Sequence, residues 1–198
     1  MKVSLFINVG SAAVIQLLLV FMAAFTFISF ISCKKQDNNS AKTESGFLLS
    51  SPAVGADSLL PTEYTCDGES STLPLQWSGY PSNTAGFALV MHHVASPTDI
   101  HWYWVLFDIP LTVNVLQKNA TNIGILGTNS VNERTEYAPP CSQGPGRKNY
   151  ILTIYALSGK PEINVPPDSL DRDYLLNAIR NITISSATMT VWYSRNND

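Results

Sequence analysis

The stretch MHHVASPTDIHWYW, residues 91–104, holds all three histidines of the 198-residue chain, with an aspartate and three large aromatics beside them. Histidines this dense could ligate a metal, serve as bases or line a binding pocket. A zinc site needs three or four nitrogen, sulfur or oxygen ligands in tetrahedral reach. His93, His101 and Asp99 could supply three, but no Cys-x-x-Cys or His-x-x-x-His spacing accompanies them, and no metal is expected. Nucleophilic catalysis would need an ordered triad or a Gly-x-Ser-x-Gly elbow. The chain has no such elbow, so neither an enzyme nor a cofactor is expected, and binding is left as the chemistry to place.

Where these side chains point depends on the elements that carry them. Four runs combine branched and aromatic residues between Gly, Pro, Ser and Asn clusters, which is strand composition: GFALVMHHV (86–94), HWYWVLFDI (101–109), YILTIYAL (150–157) and ATMTVWYS (187–194). Shorter apolar pieces at 46–49 and 73–77 are expected as edge strands. One stretch, DSLDRDYLLNAIRN (168–181), has apolar residues at four-residue spacing, with Asp168 or Ser169 available as N-cap, and predicts a late helix. The proline-rich segments 138–145 and 161–167 are expected as loops. The fold class is therefore mostly β with a helix near the C-terminus.

Alternation along a strand sends neighbouring side chains to opposite faces. His92 and His93 then diverge, so one of them at most belongs to a given site. The same rule groups His101, Tyr103, Val105 and Phe107 on one face, with Trp102, Trp104 and Leu106 on the other. Lys148 and Tyr150 share a face if the third strand is already extended there. The candidates reduce to one histidine of the pair, His101, Tyr103, Lys148 and Tyr150. Trp102, Trp104 and Phe107 are expected in the core, and His92 and His101 as half-buried residues with satisfied ring nitrogens.

The first 32 residues are almost wholly apolar after Lys2 and end at FISC followed by KKQDNNS. Such a segment is an export signal before it is a fold element. The junction resembles the lipobox of bacterial lipoproteins, in which the cysteine, here Cys33, carries the lipid. The reading is a signal peptide over 1–32, a lipidated cysteine and polar tether over 33–45, and one folded domain over 46–198. An uncleaved anchor is the alternative. Either places the domain outside the cytoplasm of a bacterial cell envelope, tethered to membrane. With a net charge of −3 and 14% charged residues, the chain lacks the basic footprint of a nucleic-acid binder. Cys66 and Cys141 remain as an even pair in an exported domain, open to a disulfide or to two buried thiols.

Four blocks resemble, in order and spacing, the bacterial branch of the phosphatidylethanolamine-binding protein family, also called Raf kinase inhibitor-like proteins: YTCDGESSTLPLQWSGYP (64–81), FALVMHHVASP (87–97), WYWVLFDIP (102–110) and YAPPCSQGPGRKNYILTIYALSG (137–159). The resemblance implies two antiparallel sheets with few short helices and one anion-binding pocket, non-catalytic, that accepts phosphate-like groups including phospholipid headgroups. The family lines it from a D-P-D-x-P segment, a strand histidine and a G-x-H-R-Y segment. On this chain these fall on His93 to Pro97, on Tyr103 and on Gly146 to Tyr150. Pro97, Gly146 and Tyr150 are kept. His93 and Ala95 stand where the family has aspartates, Tyr103 and Lys148 where it has histidines, and Asn149 where it has arginine. The implied pocket of His93, Tyr103, Lys148 and Tyr150, with His101 nearby, keeps donors and loses two carboxylates. It is expected to take a small anionic or zwitterionic ligand. A second implication is an inhibitor acting on an envelope or secreted protease.

Overall fold

The computed structural model describes residues 46–143 and 146–195. Within them the expected runs form long strands: β3 (Gly86–Ser96), β4 (Asp99–Pro110), β7 (Lys148–Leu157) and β8 (Thr183–Tyr193). Shorter strands are β1 (Leu48–Ser50), β2 (Leu75–Ser78), β5 (Val115–Leu116) and β6 (Ile125–Leu126). They make two antiparallel sheets, β1-β2-β5 and β6-β4-β3-β7-β8. The two-residue strands β5 and β6 are absent from the sequence reading, since two residues carry no periodicity.

Helix α1 (Arg172–Ile179) packs on the large sheet from the side away from the small one. One core lies between the sheets, where Leu75, Trp77 and Leu116 meet Phe87, Leu89, Leu152 and Ile154. A second lies under the helix, where Leu175 and Ile179 meet Ala88, Val90, Val105 and Phe107. The large sheet is thus covered on both faces. That is why β3 opens with five consecutive buried residues, Phe87 to Met91, instead of alternating. The helix begins at neither expected cap. Asp171 is the N-cap, accepting from the Tyr174 backbone N–H at 2.7 Å, because Pro167–Ser169 is spent on a separate 3₁₀ turn.

The pairing of β3 with β4 corrects the alternation expected along 101–109. Met91 pairs Trp104 and His92 pairs Trp102, so Tyr103 is an extra residue opposite the β3 backbone. In such a bulge two residues oppose one, and the strand's facing changes hand. Tyr103, Trp104 and Leu106 all turn toward the core between the sheets, while Val105 and Phe107 join Trp102 on the helix side. A second irregularity, where Asp108 takes φ 57°, returns Ile109 to the first core. The hairpin between the strands is short: Ser96 pairs Asp99, and Asp99 opens β4.

Cys66 and Cys141 form a disulfide across 75 residues of sequence. Closing a loop of that size stabilises a fold by about 4 kcal/mol, chiefly through the unfolded chain. It fastens the proline-rich segment after β6 to the turn around Cys66, where the Cys66 N–H also donates to the Pro140 carbonyl at 3.0 Å. The export signal, Cys33 and the tether expected from the sequence lie outside the described residues. Among the described residues, no helix is long and apolar enough to cross a membrane.

Candidate functional site

The end of β3, the start of β4, the start of β7 and the segment around the disulfide surround a cavity of about 420 Å³. That lies within the usual range for small-molecule pockets. His93 and Ala95 reach it from β3, His101 and Tyr103 from β4, Lys148 and Tyr150 from β7. Five residues singled out in the sequence, His93, His101, Tyr103, Lys148 and Tyr150, are therefore gathered in one wall.

His92 points the other way, under the helix, in keeping with alternation along β3. Its Nδ1 is buried with no hydrogen-bond partner, so the expectation of a satisfied ring does not hold there. Burial holds its pKa below the ordinary value, and the nearby Arg172 guanidinium and His93 ring add to that. His101 is half-buried, and its Nε2 lies 3.1 Å from an Asp99 carboxylate oxygen.

Two positions expected in the site do not line it. Pro97 is exposed in the two-residue β3–β4 turn. Gly146 turns the chain into β7 at φ 95°, with open space where a side chain would lie. The left-handed backbone, which glycine adopts without cost, is what it supplies.

The two departures at 93 and 149 meet each other. The His93 Nδ1–H lies 2.7 Å from the Asn149 carbonyl oxygen and 3.0 Å from its side-chain oxygen. Both partners are acceptors, which puts the ring proton on Nδ1. Nε2 is left to meet whatever enters the cavity. Where the resembled pattern has aspartate and arginine, this chain has an imidazole and an amide joined by hydrogen bonds. Asn149 thus acts by orienting His93, a role its exposure pattern in the sequence did not announce.

The phenols are packed rather than free. Tyr150 is 1% exposed and meets Tyr103 edge to face at 5.2 Å, with the His93 ring at 5.7 Å. Burial, and then the Asp99 carboxylate, push Tyr103 up to about 12. Burial, and then the neighbouring Tyr103 and Tyr193 phenols, raise Tyr150 further. Both hydroxyls stay protonated at neutral pH and can donate. The Ser142 hydroxyl sits close enough to Tyr150 to temper that shift, yet it is buried without a hydrogen bond of good geometry.

The lining contains no carboxylate, and Lys148 is its one permanent charge among the described residues. The adjacent Arg147 turns outward, stacking on Trp192 at 5.0 Å and reaching the Asp57 carbonyl. Ser130, Val131, Ser142 and Gln143 complete the wall. The sequence reading missed them because they come from irregular segments, where no period assigns a facing. For Ser142 and Gln143, a place beside Cys141 in the proline-rich segment 138–145 was the one available signal.

A family model described as phosphatidylethanolamine-binding protein matches residues 50–194. A UPF0098 protein of Methanothermobacter thermautotrophicus is 29% identical over 141 residues, covering 69% of this chain and 91% of its own. A UPF0098 protein of Aquifex aeolicus is 28% identical over 119 residues, 58% of this chain and 69% of its own. Among solved structures, an E. coli protein described as a new member of the mammalian PEBP family superposes with TM-score 0.68 at 23% identity, over 77% of this chain and all of its own. A Chlamydia trachomatis protein described as a putative phosphatidylethanolamine-binding protein homolog gives TM-score 0.68 at 21% identity, over 76% of this chain and 99% of its own. At such identities the structures speak for the fold.

Proposed function

The chain belongs to the phosphatidylethanolamine-binding protein family, and from that membership we propose that it is a non-catalytic binding protein whose cavity takes the phosphate-like part of a small anionic or zwitterionic ligand. The observation that carries this reading is the composition of the lining: Lys148 with two imidazoles, two neutral phenols and no carboxylate. An ammonium is a point charge that suits phosphate without demanding a fixed fork geometry. Tyr103 and Tyr150 supply hydroxyl donors around it. The buried Ser142 hydroxyl, beside Tyr150 but without a hydrogen bond of good geometry, adds support, since such a group is costly unless something completes it.

The second part of the proposal is the address. The apolar segment 1–32 exports the chain, and lipid on Cys33 holds the domain to a bacterial envelope membrane outside the cytoplasm, in the periplasm or at the surface. The ligand is then a phospholipid headgroup or a free phosphate compound of the envelope. Native mass spectrometry of protein purified from its host tests the reading: a retained small phosphorus-containing ligand, displaced by inorganic phosphate, is expected. A cavity that comes away empty and ignores both inorganic phosphate and glycerophosphoethanolamine would contradict it.

A further inference from the structure

The disulfide is part of the cavity wall, and its surroundings are those of a bond built to be opened. Cys141 lines the cavity, and both cysteines are half-buried rather than sealed in the core. The Arg195 Nη2 lies 3.0 Å from the Cys66 sulfur and 3.3 Å from the Cys141 sulfur. Arg195 is itself held in place, its Nε 2.7 Å from an Asp67 carboxylate oxygen that also accepts from the Tyr193 hydroxyl at 2.7 Å. Asp67 balances the guanidinium's charge, so what the sulfurs gain is chiefly a fixed, oriented N–H donor.

We propose that Cys66–Cys141 is a thiol-exchange site, opened by a small anionic thiol that enters the cavity and forms a mixed disulfide on Cys141. The cavity selects the thiol by charge, through Lys148. The incoming thiolate attacks the Cys141 sulfur. A bond forms between the two, the Cys141–Cys66 bond breaks, and the electron pair leaves on the Cys66 sulfur. That sulfur is the one with the closer Arg195 donor, and exchange is faster when the leaving thiolate is the better stabilised one. A second thiol then attacks the mixed disulfide, releasing the small-molecule disulfide and leaving Cys141 as thiolate, beside Arg195 in its turn. Both thiolates take protons from solvent. Two small thiols are oxidised to one disulfide and the protein disulfide is reduced to two thiols. This inference rests on the cavity's charge and on the sulfur geometry, and it stands whether or not the natural ligand bears phosphate.

The test uses the oxidised full-length protein in detergent, with mercaptoacetate as the anionic probe and cysteamine as the cationic one. Rates are expressed per thiolate, and peptide mass mapping locates the adduct and separates it from Cys33. Mercaptoacetate is expected to open the bond roughly tenfold faster than cysteamine, the low end of what a charged cleft gives, with the adduct on Cys141. Lys148→Gln should lower the mercaptoacetate rate severalfold and spare the cysteamine rate. Arg195→Gln should slow both probes alike, because it acts on the leaving sulfur, and Arg195→Lys should restore part of the rate. Equal rates for the two probes in the unaltered protein, an adduct on Cys66, or opening only in denaturant would each overturn the proposal. A phosphate titration of the same oxidised sample reports separately on the ligand reading.

Discussion

His92 and His93 are adjacent in sequence and do opposite things. His93 donates its Nδ1–H to the Asn149 oxygens and presents its other nitrogen to the cavity; His92 is turned under the helix with Nδ1 unpaired. Burial, then Arg172 and His93, hold the His92 pKa below its ordinary value, so the unfolded chain binds this proton more readily than the folded one. Stability from His92 is then fully present above about pH 6.5, the unfolded value. It is lost as pH falls from there toward the lower folded value. Chemical unfolding between pH 7 and 5 should show this decline, and His92→Leu should flatten it while keeping stability at pH 7. An unchanged pH slope in His92→Leu would mean that other groups govern it. At this scale the sequence was informative where alternation applies: the divergence of the histidines and the gathering of Lys148 with Tyr150 follow from period two. It was silent on Asn149, whose importance lies in a partner 56 residues away.

The elements explain why some expectations needed correction. Long branched and aromatic runs mark β3, β4, β7 and β8 because both faces of the large sheet are covered. Nothing in composition marks the extra residue at Tyr103. That bulge appears only through pairing with β3, and it lets Tyr103 face the cavity while Trp104 faces the core. The helix was legible by its four-residue spacing. Its cap was not, since several acids and a serine crowd four positions and the local preference for each is similar. Leu175, fully buried against the sheet, fixes α1 in place. Leu175→Ala should cost about 2 to 5 kcal/mol, read as a lowered denaturation midpoint. Phosphate affinity should be unchanged at temperatures where the variant is folded, because the helix and the cavity lie on opposite faces. A loss of affinity without unfolding would show that the faces are coupled.

For the whole molecule, the proposal combines a family fold with a lining from which the pattern's two carboxylates are gone and an address taken from the first 33 residues. The address is tested alone by Cys33→Ser, which should release the domain from the membrane fraction or leave it unprocessed; a fully processed variant still in that fraction would exclude lipid on Cys33 as the anchor. The central claim, that the cavity on β3, β4 and β7 binds a phosphate-bearing ligand through Lys148, is tested most directly by calorimetric titration of inorganic phosphate into the unaltered protein, Lys148→Ala and His92→Ala. Losing a hydrogen bond to a charged group costs about 1.5 to 3 kcal/mol. Lys148→Ala is therefore expected to bind roughly ten- to a hundredfold more weakly at nearly unchanged melting temperature, and His92→Ala to bind as the unaltered protein does. Equal affinity in Lys148→Ala, or loss of binding in a folded His92→Ala, would put the site on the wrong face of the sheet and contradict the account.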